Sequence, residues 1–135
     1  MGDRVSTEGY VHRTVTAAPY GRAVERVEAA LAQEGFGVLS RIDVAATLRA
    51  KLGVEREPHM ILGACNPALA AAALEVEPAL GALLPCNVVV RVKDGVTHIE
   101  AIRAERMLGI VGRPELHEIA STVDERLKRV VAAAA

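Results

Sequence analysis

The chain of 135 residues has no Trp, one Phe and two Tyr, so it lacks the rings on which single-strand binders stack bases. It also lacks an excess of charge of either sign. Sixteen basic against 17 acidic side chains give a net charge of -1, which supplies no general attraction to a polyanion. Nucleic acid is therefore not an expected partner. Two cysteines are too few for a disulfide framework, and a reducing compartment keeps Cys65 and Cys86 as thiols unless they bind metal or cycle. No run approaches the roughly 18 apolar residues of a membrane span. The stretch from Met1 to Thr16 carries Asp3, Arg4 and Glu8 where a signal peptide needs its apolar core. A cytoplasmic protein without membrane contact is the expectation. Internal repeats, linkers and low-complexity blocks are missing too, apart from Ala132 to Ala135, a tail expected to fray.

What is present is a foldable composition. Residues of the AVILMFWYC set make up 51% and charged residues 24%, enough apolar surface for one domain over 1–135 with its core at about 10–131. Ala and Val dominate, so the core has to close by tight approach of small side chains. Tyr10 to Thr16 reads as a first strand. Tyr20, Val24, Val27 and Leu31 recur at helical spacing from Ala18 until Gly35 ends the helix. Phe36, Val38, Ser40 and Ile42 alternate as a half-buried strand, after which Asp43 caps a short helix that reaches Leu52 and stops at Gly53. Met60 to Cys65 is continuously apolar and reads as a central strand covered on both faces. Asn66-Pro67 starts a helix that Pro78 ends. Val88 to Val92 and Val96 to Ala101 flank Asp94-Gly95, a hairpin turn that pairs Lys93 with Val96, Val90 with Ile99 and Arg91 with His98. Leu116, Ile119, Ala120, Val123, Leu127, Val130 and Val131 form the stripe of a closing helix behind Pro114. The order predicts an α+β domain, a largely antiparallel sheet with helices packed on one side.

Most motif-like segments carry no chemistry. Gly35-Phe36-Gly37 follows a helix and opens a strand, the reverse of a dinucleotide loop, and Ser40 stands where its third Gly belongs. His117-Glu118 lacks the second histidine of a zinc-protease helix, because Ser121 occupies that position. His12, His59, His98 and His117 are scattered and read as lone surface histidines. Two echoes remain, Cys65-Asn66-Pro67 and Pro85-Cys86-Asn87, each with Cys-Asn at an element boundary. Cys65 precedes a helix start, where free N–H groups and the helix dipole attract anions and favour a reactive sulfur. The bland alternative treats each Cys as a small apolar residue and each Asn as a cap or turn.

The stretch from Gly35 to Asn87, with Gly-Phe-Gly-Val-Leu, Ile42-Asp43-Val44, Lys51-Leu52-Gly53, Ile61 to Pro67, Glu77-Pro78 and Leu83 to Asn87, resembles the bacterial and archaeal family known as domain of unknown function 302. The likeness extends from about Tyr10 to Val131. It implies a compact fold similar to one half of the TATA-box-binding saddle, and a tendency to form homodimers. It implies no agreed activity. Where that family often has Asp-Pro after the last strand, this chain has Arg103-Ala104, so a role for an acidic group there is absent. A fold shared with a DNA-binding saddle transfers no activity either, because the basic charge and wedge aromatics are missing.

Three functional expectations follow. The first is a non-enzymatic homodimeric module that binds a small ligand or partner protein in a pocket near Cys65, Asn66, Pro67, Pro85, Cys86 and Asn87. The second is a thiol-based redox or metal-dependent enzyme using Cys65 and Cys86, with His59 or His98 supplied by a neighbouring strand. The third is dimerisation alone. No acid or His adjoins either cysteine in sequence, which places the enzyme second. No catalytic residue, metal ligand or cofactor is assigned. Whether the cysteines meet depends on Pro78 to Pro85 running back as an extended segment.

Overall fold

The computed structural model describes residues 5–135. Its elements are β1 (Ser6–Glu8), β2 (Val11–Thr16), α1 (Tyr20–Gln33), β3 (Gly37–Asp43), α2 (Val44–Leu52), β4 (His59–Cys65), α3 (Pro67–Val76), β5 (Cys86–Lys93), β6 (Val96–Ile102), α4 (Ala104–Gly109) and α5 (His117–Ala134). Short 3-10 turns occupy Pro78–Ala82 and Pro114–Leu116. The strands form one antiparallel sheet in the order β1-β2-β6-β5-β4-β3. The α+β class is as expected. β4 is interior but lies next to the edge strand β3, while β5 and β6 hold the middle.

The expected local signals act where they were read. Asp94 and Gly95 take positive φ values of 51° and 78°, which matches the hairpin's turn to the twist of its strands. The register follows, with Lys93 opposite Val96, Val90 opposite Ile99 and Arg91 opposite His98. The Glu57 carboxylate accepts from the N–H groups of both turn residues. Asp43 caps α2 through Ala46 N, and Gly53 closes it in a left-handed conformation.

Strand alternation then divides the sheet into two faces. On one, Leu62, Ala64, Val88, Val90, Ile99 and Ala101 are fully buried against Val27 and Leu31 of α1 and Leu127, Val130 and Val131 of α5. Each such Val, Leu or Ile contributes about 1.5–3 kcal/mol. The other face carries Val15, Arg91, Val96 and His98, partly or wholly exposed.

Three local outcomes differ from expectation. The alanine tail does not fray: α5 runs to Ala134, which is fully buried, and the Ala135 carbonyl accepts from Thr16 Oγ1 and Arg26 Nη1. Strand β1 was not expected, because Ser6-Thr7-Glu8 has no apolar alternation and is held by its ladder to β2. Helix α4 was not expected either. Its preceding residue, Arg103, gives no side-chain cap; Asp124, 20 positions downstream, accepts from Ala104 N and Glu105 N instead.

Candidate functional site

The site begins where β4 meets α3. After Cys65 the chain stays extended at Asn66, whose Oδ1 accepts from Leu69 N at 3.2 Å and caps α3. Asn66 is 8% exposed, whereas Pro67, at the first helical position, is exposed. A 3-10 turn, rather than an extended segment, then brings the chain back, because Leu80 within it is buried in the core. The chain reaches β5 through a cis Leu84–Pro85 peptide. Pro85 lies over Gly63 so closely that a Cβ there would come 2.9 Å from Pro85 Cγ and collide with Ser40 Oγ.

Ala64 and Cys86 are opposite each other in the β4–β5 ladder, so the two cysteines stand at the same end of adjacent strands, one residue out of register. Both are free thiols and both border one apolar cavity of about 310 Å³. Asn66 and Pro85 also border it, together with Phe36, Leu69, Ala73 and Met107. Of the six residues singled out in the sequence, four therefore converge on one cavity. Pro67 is not part of its wall, and Asn87 lies on the other face of the sheet.

The thiols differ. Cys86 is buried, and its pKa is pushed up to about 11, first by that burial and then by the neighbouring Cys65 and Asp124. At neutral pH it is a protonated, slow sulfur. Cys65 is half-buried at the strand end. His59 and His98 do not serve either thiol, because they lie on the opposite face near Arg91 and Glu100. There Glu100 accepts from Arg91 Nε at 2.7 Å and Nη2 at 3.0 Å, and Arg13 Nη2 lies 3.0 Å from it. The Arg91 hydrogen bonds hold the Glu100 carboxyl below its ordinary range against burial. Burial, with nearby arginines, pushes both His59 and His98 down.

His12 is not a lone surface histidine, as its scattered position suggests, but a buried one. It is 1% exposed, with Nε2 2.8 Å from Asp124 Oδ1 and Nδ1 2.8 Å from Thr7 Oγ1. Hydrogen bonds from His12, Glu105 N and Ala104 N outweigh burial and hold the Asp124 carboxyl low. The sequence did carry a signal: His12 alternates with Thr14 on the buried side of β2, and Asp124 adjoins the apolar stripe of α5. Hydroxyl, imidazole and carboxylate stand in the order of an acyl-transfer triad. Neither the apolar cavity nor the hollow on the open face borders Thr7 or His12, so the chain of bonds ties β1, β2, α4 and α5 together. Among the described residues, no three of His, Cys, Asp and Glu converge closely enough to hold a metal ion.

The family described as "Domain of unknown function DUF302" matches residues 11–134. The chain belongs to the DUF302 family. A crystal structure of an uncharacterized conserved DUF302 protein from Bacillus stearothermophilus is 32% identical, with a TM-score of 0.89, and the match covers 95% of this chain and 100% of that one. No curated protein matches this DUF302 chain. At the point where the family often has Asp-Pro, Arg103 donates from Nη1 to the Gly9 carbonyl and so fastens the turn between β1 and β2. None of the described helices of this DUF302 chain is long and apolar enough to cross a membrane.

Proposed function

We propose that the chain is a non-enzymatic, homodimeric module that takes an apolar small molecule into the cavity beside Cys65-Asn66 and Pro85-Cys86. The observation that carries this reading is the cavity itself: about 310 Å³, with Asn66 and two thiols as the only polar side chains in a wall of apolar ones. That size and lining suit a small apolar ligand positioned by one or two polar groups. Dimerisation is assigned to the open sheet face, where Val15 and Val96 are 54% and 44% exposed beside the Arg13, Arg91 and Glu100 cluster. Apolar residues among complementary charges suit an isologous contact. The thiols and the near-neutral net charge support a reducing, cytoplasmic setting without nucleic acid.

The test uses N-phenyl-1-naphthylamine, a neutral fluorescent probe, read against a protein with no Trp. Saturable binding of one probe per chain, lost in Ala73→Phe or Ala70→Phe variants that still melt cooperatively, supports the cavity. Non-saturating emission, or unchanged binding in both variants, refutes it. A monomer by sedimentation at micromolar concentration refutes the dimer.

The shared cavity also favours a second reading, in which Cys65 and Cys86 form a disulfide and pass two electrons and two protons to an oxidised substrate. Cys86's raised pKa opposes it. A Cys65–Cys86 disulfide that forms and reduces reversibly would reverse the ranking.

A further inference from the structure

Asn87 belongs to a motif that the apolar cavity does not account for. It is exposed on the open face of the sheet, and its side chain makes no hydrogen bond among the described residues. There it borders a hollow of about 290 Å³ together with Tyr10, Arg13, His59, Arg91 and Glu100. The apolar part of the hollow is formed by Val11, Val89 and Ile102. Strand pairing sets this arrangement: Arg13 is opposite Glu100 between β2 and β6, Glu100 is opposite Val89 between β6 and β5, and Arg91 is opposite His59 between β5 and β4.

Two guanidinium groups share one carboxylate here. Glu100 takes up Arg91 Nε and Nη2 and Arg13 Nη2, so Nη1 of each arginine has no partner among the described residues. Both side chains remain open to a ligand, at 28% exposed for Arg91 and 48% for Arg13. No second acid balances them. Glu100 is the only carboxylate acting on Arg91, His59 and His98. Glu8, opposite Val11 at the sheet edge, lies outside the hollow and accepts from Ser6 Oγ at 3.4 Å. Burial first, and then Arg56 and Arg91 at His59 and Arg91 and Arg13 at His98, hold both imidazoles below their ordinary range, so neither adds charge at neutral pH. The lining of the hollow therefore carries one net positive charge, beside an amide and a phenol with no partner among the described residues. Paired arginine forks over an apolar surface are the complement of a carboxylate on an apolar body.

We propose that this hollow binds a small organic monocarboxylate, its carboxylate against Arg13 and Arg91 and its apolar body over Val11, Val89 and Ile102. A monoanion matches the single net charge, whereas a dianion would leave one charge unbalanced. The site is on the opposite side of the sheet from the cavity beside the cysteines, and Val15 and Val96, to which the dimer contact is assigned, do not border it. The inference therefore stands apart from both earlier readings.

The test is a chemical-shift titration of the intact protein with benzoate and with benzamide, alike in shape and different in charge. Benzoate is expected to bind about tenfold tighter, the worth of a charge-assisted hydrogen bond, with the largest shifts at Asn87, Val89 and Glu100. Arg13→Gln should erase that preference. Glu100→Gln removes the competing carboxylate and should tighten benzoate binding, a gain that a merely structural Arg–Glu cluster would not produce. Thermal melts establish that each variant is folded, and Arg13, half exposed, decides the point if Glu100→Gln does not fold. Benzamide binding as tightly as benzoate, a preference that survives in Arg13→Gln, or weaker binding by a folded Glu100→Gln overturns the site. Shifts centred on Cys65 and Asn66 would place the ligand in the other cavity and overturn it too. Inorganic phosphate binding as tightly as benzoate would overturn the role given to the apolar body. Sedimentation of the same samples records whether the copies are paired, and absence of binding overturns the site in either state.

Discussion

Replacing Asp124 with Ala removes the group on which the unexpected part of the fold depends. Its carboxylate accepts three hydrogen bonds, from His12 Nε2 at 2.8 Å, Ala104 N at 2.7 Å and Glu105 N at 3.0 Å. The two backbone donors form a helix cap supplied from a distance, and losing a cap costs about 1 kcal/mol. His12 would keep a buried Nε2–H without an acceptor, which costs roughly 1–3 kcal/mol. Together these give about 3 kcal/mol, near the lower end of the ~3–5 kcal/mol measured when one partner of a buried pair is removed. For a domain of this size that corresponds to a fall of about 10 °C in melting temperature. Asp124→Asn keeps Oδ1 for His12 and Ala104 but turns an N–H donor toward Glu105 N, so it should cost about 1–2 kcal/mol. The assay is urea denaturation of both variants, with hydrogen exchange at Ala104 and Glu105 to localise the loss. An Asp124→Ala variant within about 1 kcal/mol of the parent, or one whose exchange rises no more in α4 than elsewhere, would show that this hydrogen-bonded tie does not hold the helix.

Gly63→Ala should destabilise by about 1–3 kcal/mol, because the new Cβ meets Pro85, whose ring cannot rotate away, and a denaturation midpoint equal to the parent's would contradict this packing. Cys86 should resist alkylation in the folded protein up to about pH 10 and react only on unfolding, given a pKa near 11 from burial; mass spectrometry showing Cys86 modified as fast as Cys65 at pH 8 would refute it. The open face makes stability pH-dependent with a definite sign. His59 and His98 are depressed from 6.5 and Glu100 from 4.5, so each contributes stability that is complete above its ordinary value and is lost as pH falls through the depressed one. Stability should therefore decline first below about pH 6.5 and again below about pH 4.5. Glu100→Gln should flatten the second decline, and an unchanged acid limb would count against the Arg91–Glu100 geometry.

The elements legible in the sequence are those whose cause lies within a few residues of the effect. Asp94-Gly95 sets the hairpin and its register because only two positions must adopt positive φ. Asp43 and Asn66 each satisfy an N–H three residues ahead, and the α5 stripe repeats within one helix. The fold class followed from these pieces, since one buried face per strand and one stripe per helix leave few ways to pack them. Other features depend on groups distant in sequence. Helix α4 is capped from α5, β1 has no apolar pattern and relies on its ladder, and the alanine tail is ordered by contacts with Thr16 and Arg26. The same holds for the site. The Cys-Asn echoes marked the right segments, but strand alternation sent Asn87 to the other face while the turn around buried Leu80 brought Cys86 beside Cys65. The close contact at Gly35 of Asn66 Nδ2, from the cap of α3, and Arg126 Nη1, from α5, likewise joins three separate segments. Periodicity and caps are local energies written into neighbouring residues, whereas a cavity is the space left between elements, and its shape exists only once they have packed.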